Sequence, residues 1–177
     1  MQPSTTTSTV STSSVGMRYG ILTGLVSIIY TFFIYATGQF ANQSLQWVGI
    51  IIPIGGIYLA HTAFKKLNGG FMSYGEGLGI GTILSLVSGV ISTLYNYVYK
   101  TFIDPDLQVK VLEALRTQFE QKGGMSDAQI DQALSMTSKF STGPIGIAIG
   151  LVGALILGVL ISLIIAAFTK NPKPEFE

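Results

Sequence analysis

The sequence contains no cysteine and a single histidine, His61. Without thiols the chain forms no disulfides and has neither a cysteine nucleophile nor a thiolate-ligated metal site. One histidine excludes a histidine-rich metal site, so we expect no metal and no other cofactor. Charged residues make up 11% of the chain, against about 25% in soluble domains. The net charge of +1, without a basic stripe carrying interleaved aromatic residues, predicts no nucleic-acid partner.

The sequence contains three long segments without charged residues. No charged residue lies in 19–64, 77–99 or 140–169. These runs exceed the ~20 apolar residues that a helix needs to cross a bilayer. They predict an all-α integral membrane protein whose single four-helix domain covers residues 16–170. Its spans are predicted at about 18–36, 45–64, 73–99 and 143–168.

Small residues recur at every fourth position along the third and fourth spans. At helical pitch this spacing places them on one face, and a face of small side chains lets two membrane helices approach closely. We therefore predict that the third helix packs along the fourth. The predicted packing residues are Gly77, Gly81, Ser85, Gly89 and Thr93 on the third span, and Gly146, Gly150, Ala154, Gly158, Ser162 and Ala166 on the fourth.

Proline and glycine interrupt the second span. Pro53 is followed by Gly55 and Gly56. Proline removes one hydrogen bond of the helix ladder and clashes with the preceding turn, so this position predicts a kink. Such a kink serves gating or is only structural, and the sequence leaves both interpretations open.

Residues 104–140 are too polar to cross a membrane. Asp104 followed by Pro105 predicts a helix start, and Ser126 with Gln129 forms the capping box of a second helix. The sequence thus predicts an amphipathic helical hairpin outside the membrane. Its apolar face must be covered by the end of the bundle, by the bilayer surface or by a partner. The residues of that face, a candidate partner surface, are Leu107, Val111, Leu115 and Phe119.

The two ends of the chain are polar. Residues 1–15 are rich in Ser and Thr and lack the features of a signal peptide, so we expect a disordered tail; residues 171–177 form a short polar tail. Basic residues near the span ends predict the orientation. Both termini are expected in the cytoplasm and the 101–142 loop outside, because one side of the four spans carries the dense set Arg18, Lys65, Lys66, Lys170 and Lys173.

Three polar side chains of the apolar segments are candidate functional groups. Glu76 is either an ion or proton site, as an intramembrane carboxylate suggests, or a carboxylate that favours a helix N-terminus. His61 is expected at the same end of the bundle, where it either relays protons with Glu76 or lies at the interface. Asn96 either bonds across helices or forms part of a polar site. Because no nucleophile–base pair, metal-ligand cluster or phosphate loop occurs, we do not predict an enzyme.

Three segments resemble a known family. They are Gly69–Gly77 (GGFMSYGEG), Ile103–Pro105 (IDP) and Gly124–Asp131 (GMSDAQID). Over roughly residues 17–170 the chain resembles the domain-of-unknown-function family numbered four-one-nine-nine, four-span membrane proteins found mainly in Bacteroidota. The resemblance implies a bacterial inner-membrane protein and a periplasmic 101–142 loop, and it brings no activity, substrate or cofactor. Relatives often have a lysine near the position of Gly79. Its absence in this chain argues against an ion pair for Glu76.

Two functions are compatible with these features. The first is a non-catalytic accessory or interaction subunit, embedded in the lipid bilayer, whose hairpin and small-residue faces bind another membrane protein or a second copy of the chain. The alternative is a small transporter or channel component that uses Glu76 and the Pro53 kink. Four spans are few for a transporter, so the alternative requires a homo-oligomer.

Overall fold

The computed structural model describes residues 10–40 and 42–174. Within these ranges the chain forms α-helices joined by short turns. The helices are α1 (Thr12–Ala36), α2 (Gln43–Leu67), α3 (Tyr74–Val98), α4 (Leu107–Lys122), α5 (Asp127–Ser141) and α6 (Gly143–Thr169). A π-helical turn, Tyr99–Ile103, continues α3 beyond its last α-helical residue.

Four of these segments are long and apolar enough to cross a membrane: α1, α2, α3 together with its π-helical turn, and α6. Their side chains that face away from the bundle are apolar, as lipid requires. Examples of such exposed side chains are Phe33, Ile51, Leu94 and Ile164. The predicted all-α class with four apolar spans is confirmed, and the protein is a multi-pass membrane protein.

Helix α1 begins earlier than predicted. Ser11 caps it by accepting a hydrogen bond from the backbone N–H of Ser14, and Val15 is buried in the core. The prediction of a disordered tail is therefore wrong for residues 12–15, because the serine cap and the burial of Val15 extend the helix. The rest of that predicted tail, residues 1–9, lies outside the described residues.

The C-terminal tail is also partly ordered. Asn171 and Met72 exchange two backbone hydrogen bonds of 2.8 Å, and the Asn171 side chain donates to the carbonyl of Gly70. These bonds attach the chain after α6 to the loop before α3. Of the predicted polar tail, residues 175–177 lie outside the described part of the chain.

Helix α3 lies at the centre of the bundle. It packs along α1 on one side and along α6 on the other, while α2 contacts both α1 and α6 and closes the bundle. Glycines make the approach of α1 possible, because a Cβ atom at Gly16 would lie 2.9 Å from the Ile83 Cβ, and one at Gly20 would lie 2.8 Å from the Val87 Cβ. The same α1 face continues to Gly24.

Small residues face each other along α3 and α6, but the spacing changes along the pair. A Cβ atom at Gly81 would lie 2.5 Å from the Ser162 Cβ, whereas one at Gly89 would lie 3.3 Å from the Ala154 Cβ. At Gly150 the nearest atom, Thr93 Oγ1, is 3.9 Å away. The two helices are therefore tight near the chain termini and separate toward the hairpin end.

Gly146 differs from the other predicted packing residues of α6. A Cβ atom there would lie 2.6 Å from the carbonyl carbon of Ser141 rather than against α3. The connection between α5 and α6 turns sharply at Gly143, whose φ of +61° suits glycine. This turn brings Ser141 across the first turn of α6, so Ser141, rather than a residue of α3, is the nearest neighbour of Gly146.

Helices α4 and α5 form a hairpin beyond the ends of α3 and α6. Its turn contains Gly123 and Gly124, with φ of +66° and +84°, a backbone conformation that other residues rarely adopt. Arg116 joins the two helices through an ion pair with Asp131. Among the apolar side chains, Leu107, Ile130 and Leu134 are buried, while Val111, Leu115 and Phe119 are half-buried.

The tight end of the α3–α6 pair generates a prediction for Gly81. Alanine there gains about 1 kcal/mol in helix propensity, but its Cβ overlaps Ser162, and overpacking typically costs about 1–3 kcal/mol. We expect Gly81→Ala to lower the free energy of unfolding in an SDS titration. Gly79→Ala is the matched control, since nothing lies within 4 Å of that position; equal stability of the two variants would contradict the tight packing.

Candidate functional site

His61 is completely buried where α2, α3 and α6 meet. Its Nε2 lies 2.8 Å from the carbonyl oxygen of Gly77, and its Nδ1 lies 2.8 Å from the hydroxyl of Thr169. A carbonyl oxygen only accepts hydrogen bonds, so Nε2 carries a proton. The histidine thus connects three spans through two hydrogen bonds.

The Thr169 hydroxyl has a choice of acceptor. Its single proton goes to His61 Nδ1 when the imidazole is neutral, or to the Ile165 carbonyl, 2.8 Å away, when Nδ1 also carries a proton. The orientation of this hydroxyl therefore depends on the protonation state of His61.

Further hydrogen bonds hold the same end of the bundle together. Ser162 donates to the carbonyl of Gly77 at 3.3 Å, and Lys65 Nζ donates to the carbonyl of Thr169 at 3.0 Å. Together with His61 these residues form what we call the closed end: His61, Lys65, Gly77, Ser162 and Thr169. The polar groups of the closed end are thus satisfied by one another inside the bundle.

Glu76 lies beside the closed end but acts as a helix cap. Its Oε2 accepts hydrogen bonds from the backbone N–H of Ser73 at 2.7 Å and from the Ser73 hydroxyl at 2.8 Å, and the Ser73 hydroxyl accepts from the Glu76 N–H. This capping box engages the carboxylate at the N-terminus of α3. The two ring nitrogens of His61 bond to Gly77 and Thr169, so the structure does not join His61 directly to Glu76. The sequence contains the pattern of this capping box, since Ser73 lies three residues before Glu76.

A cavity of about 270 Å³ lies among all four spans; we call it the central cavity. Several hydroxyl groups line it and no ionisable side chain does. Ser27 and Ser85 donate to carbonyls of their own helices, which leaves their oxygen lone pairs able to accept. The hydroxyl-bearing residues are Thr23, Ser27, Ser85, Ser88, Ser92 and Thr93.

Pro53 and Gly49 also line the central cavity. Pro53 lies inside the continuous helix α2 and has no N–H, so the Gly49 carbonyl loses its ladder donor. This adds another acceptor to the hydroxyl oxygens of a wall that is otherwise largely apolar. The cavity is thus suited to a polar, uncharged molecule or to water.

A larger cavity of about 480 Å³ opens beneath the hairpin; we call it the Lys100 cavity. It lies where α3 and α6 separate, and it shares Thr93, Asn96 and Gly150 with the central cavity. Lys100, in the π-helical turn, is the charged residue of its lining. Sequence reasoning missed this lysine, although it is the single charge between Glu76 and Asp104.

Asn96 lies on the boundary between the two cavities. Its Oδ1 accepts a hydrogen bond from the Tyr35 hydroxyl of α1, and its Nδ2 donates to the Ser92 carbonyl at 2.8 Å. The Tyr35 ring lies 5.0 Å from that of Tyr99, centroid to centroid. Asn96 therefore ties α1 to α3.

The acidic residues of the described chain lie mostly on the hairpin. Asp104 pairs with Lys110 at 2.7 Å, and this hydrogen bond raises the pKa of Lys110. Across residues 10–40 and 42–174, no group of three or more His, Asp or Glu side chains is placed to hold a metal ion.

The model of the family described as Protein of unknown function (DUF4199) matches residues 18–171. The chain belongs to this family. Searches of curated proteins and of solved structures give no match. Membership in DUF4199 confirms the resemblance of the sequence motifs and assigns no activity.

The hydrogen bonds of His61 generate a second prediction. An interhelical hydrogen bond inside a membrane contributes about 0.6–2 kcal/mol, so His61→Leu, which removes two, should lower the free energy of unfolding by about 1–4 kcal/mol. Combined with Thr169→Val, the loss should be less than additive by at least about 0.5 kcal/mol, because the two side chains share one bond. SDS titration measures both values.

Thr62→Ala is the control for this prediction. The Thr62 hydroxyl bonds only within α2, to the Tyr58 carbonyl, so its loss should change stability little. Strict additivity of His61→Leu and Thr169→Val would show that their contact contributes nothing.

Proposed function

We propose that the protein is a non-catalytic accessory subunit of the bacterial inner membrane. Its α4–α5 hairpin binds another membrane protein or a second copy of the chain. The observation that carries this proposal is the incomplete burial of the hairpin's apolar face. Val111, Leu115 and Phe119 are only half-buried by the rest of the chain.

A groove between α4 and α5 gives the hairpin a second apolar surface, separate from Val111, Leu115 and Phe119. It has a volume of about 340 Å³ and an apolar floor that includes Val109, Leu112 and Leu134. The ion pair of Arg116 with Asp131 stands at its edge. Protein interfaces combine an apolar centre with a polar rim in this way.

The small-residue faces play a different role from the hairpin. Gly77, Gly81, Gly89, Gly158 and Ser162 face neighbouring helices of the same chain, so little of that surface remains for a partner. We therefore place the binding surface on the hairpin. The lysines and arginine near the span ends support an orientation with both termini in the cytoplasm and the 101–142 loop in the periplasm.

Charge placed on the hairpin tests the proposal. The double variant Leu112→Asp, Leu115→Asp should abolish association, because two carboxylates would have to be desolvated at the interface. The measurement is the mass and protein composition of particles extracted from native membranes in mild detergent. Thr117→Asp, at an exposed position of the same helix, is the matched control and should leave association intact. Retention of every partner by the double variant would refute the hairpin as a binding surface.

The central cavity favours a second function, a component of an oligomeric transporter or channel for small uncharged polar solutes. The hydroxyl groups on its otherwise largely apolar wall offer hydrogen bonds in place of water, and Pro53 contributes to the same wall. Glu76 is engaged in its capping box and has no part in this pathway.

Flux through proteoliposomes tests the second function. Glycerol flux, followed by vesicle swelling, should fall at least about tenfold in Ser92→Leu, because leucine fills the central cavity. Glu76→Gln should retain flux, since glutamine also completes a capping box. Gly79→Leu, which lies in open space, is the control; no protein-dependent flux in the unaltered chain would remove this function.

A further inference from the structure

The Lys100 cavity combines a cation with an apolar wall. Its volume of about 480 Å³ lies within the ~300–1,000 Å³ typical of sites for small ligands. At one end lie Lys100, Gln108 and Ser141, whose side chains are polar. The remaining wall is largely apolar and includes Tyr97, Phe140, Ile147 and Ile149.

Lys100 has no carboxylate partner in the described chain. The ion pairs there are Lys110–Asp104, Arg116–Glu120 and Arg116–Asp131. Lys100 Nζ instead donates to Gln108 Oε1 over 3.5 Å, a distance at the limit of a hydrogen bond. Since an ammonium group has three protons, this half-buried cation retains donors for an anion.

Gln108 is held in place from its other side. Its Nε2 donates to the Ser141 hydroxyl at 2.8 Å, which connects α4 to the end of α5. The polar end of the cavity therefore has a fixed frame contributed by α3, α4 and α5. A fixed frame distinguishes Lys100 from a freely rotating surface lysine.

The apolar wall opens toward lipid. Tyr97 and Phe140 are each 51% exposed and Ile149 is 46% exposed, and they surround the level where α3 and α6 separate. Tyrosines cluster at this level in the manner of an interfacial belt. A water-soluble anion would occupy the end at Lys100 and leave this wall uncovered, whereas a hydrocarbon chain would cover it.

We propose that the Lys100 cavity binds one anionic membrane lipid. The phosphate or carboxylate of its headgroup accepts hydrogen bonds from Lys100 Nζ, and an acyl chain lies along Ile147 and Ile149. This binding is independent of the proposed partner of the hairpin and of solute flux. The separation of α3 and α6 provides the space that this lipid occupies.

Native mass spectrometry of the full chain in a neutral detergent tests the site. With phosphatidylglycerol and phosphatidylcholine titrated in parallel, we expect one tightly bound phosphatidylglycerol per chain and about tenfold weaker phosphatidylcholine. Lys100→Gln should weaken phosphatidylglycerol about tenfold, and Lys100→Arg should retain it. Lys139→Gln is the matched control, because Lys139 is an exposed lysine at the same end of the protein.

A second variant separates the site from simple charge attraction. Gly150→Leu keeps Lys100 but fills the cavity from α6, where the nearest atom is 3.9 Å from the added Cβ, and it should also lose the bound lipid. Equal retention of both lipids, unchanged binding in Lys100→Gln, or unchanged binding in Gly150→Leu would overturn the proposal. Displacement of the lipid by millimolar inorganic phosphate would do so as well, since it would identify an anion site without an acyl-chain contact.

Discussion

The close approach of α3 and α6 near the chain termini determines the rest of the bundle. Gly81 faces Ser162 and Gly158 faces Ser85, with no room for a larger side chain at either glycine. In a bilayer such contacts stabilise the pair through dispersion and short polar bonds rather than through the exclusion of water. His61 and Met72 then fill the space next to this contact, and both are fully buried.

The same contact explains the Lys100 cavity at the opposite end. Helices are stiff, so two helices that touch closely at one end and diverge along their length leave a gap at the other. The hairpin covers this gap only partly, and the Lys100 cavity is what remains. The closed and open ends of the bundle are therefore two results of one helix crossing.

The sequence predicts the elements well because uncharged segments and fourfold spacing are local signals. It predicts less about the sites, because they depend on how the helices cross. The four-residue spacing identifies the packing face of α6 but cannot show that Gly146 lies beyond the point where α3 and α6 separate. As a carboxylate in an apolar segment Glu76 suggests an ion site, whereas its role in the structure comes from the capping box with Ser73. In the sequence Lys100 is one of several lysines near span ends. Its lack of a carboxylate partner in the described chain becomes visible only in the folded structure.

The bonds between Met72 and Asn171 have a consequence for biogenesis. They join the loop before α3 to residues that are synthesised only after α6. Until the final span has inserted, His61 lacks Thr169, and the central helix lacks one of its two main neighbours. Until then, the first three spans form an incomplete bundle in the bilayer. Docking of α6 therefore completes the packing of the bundle.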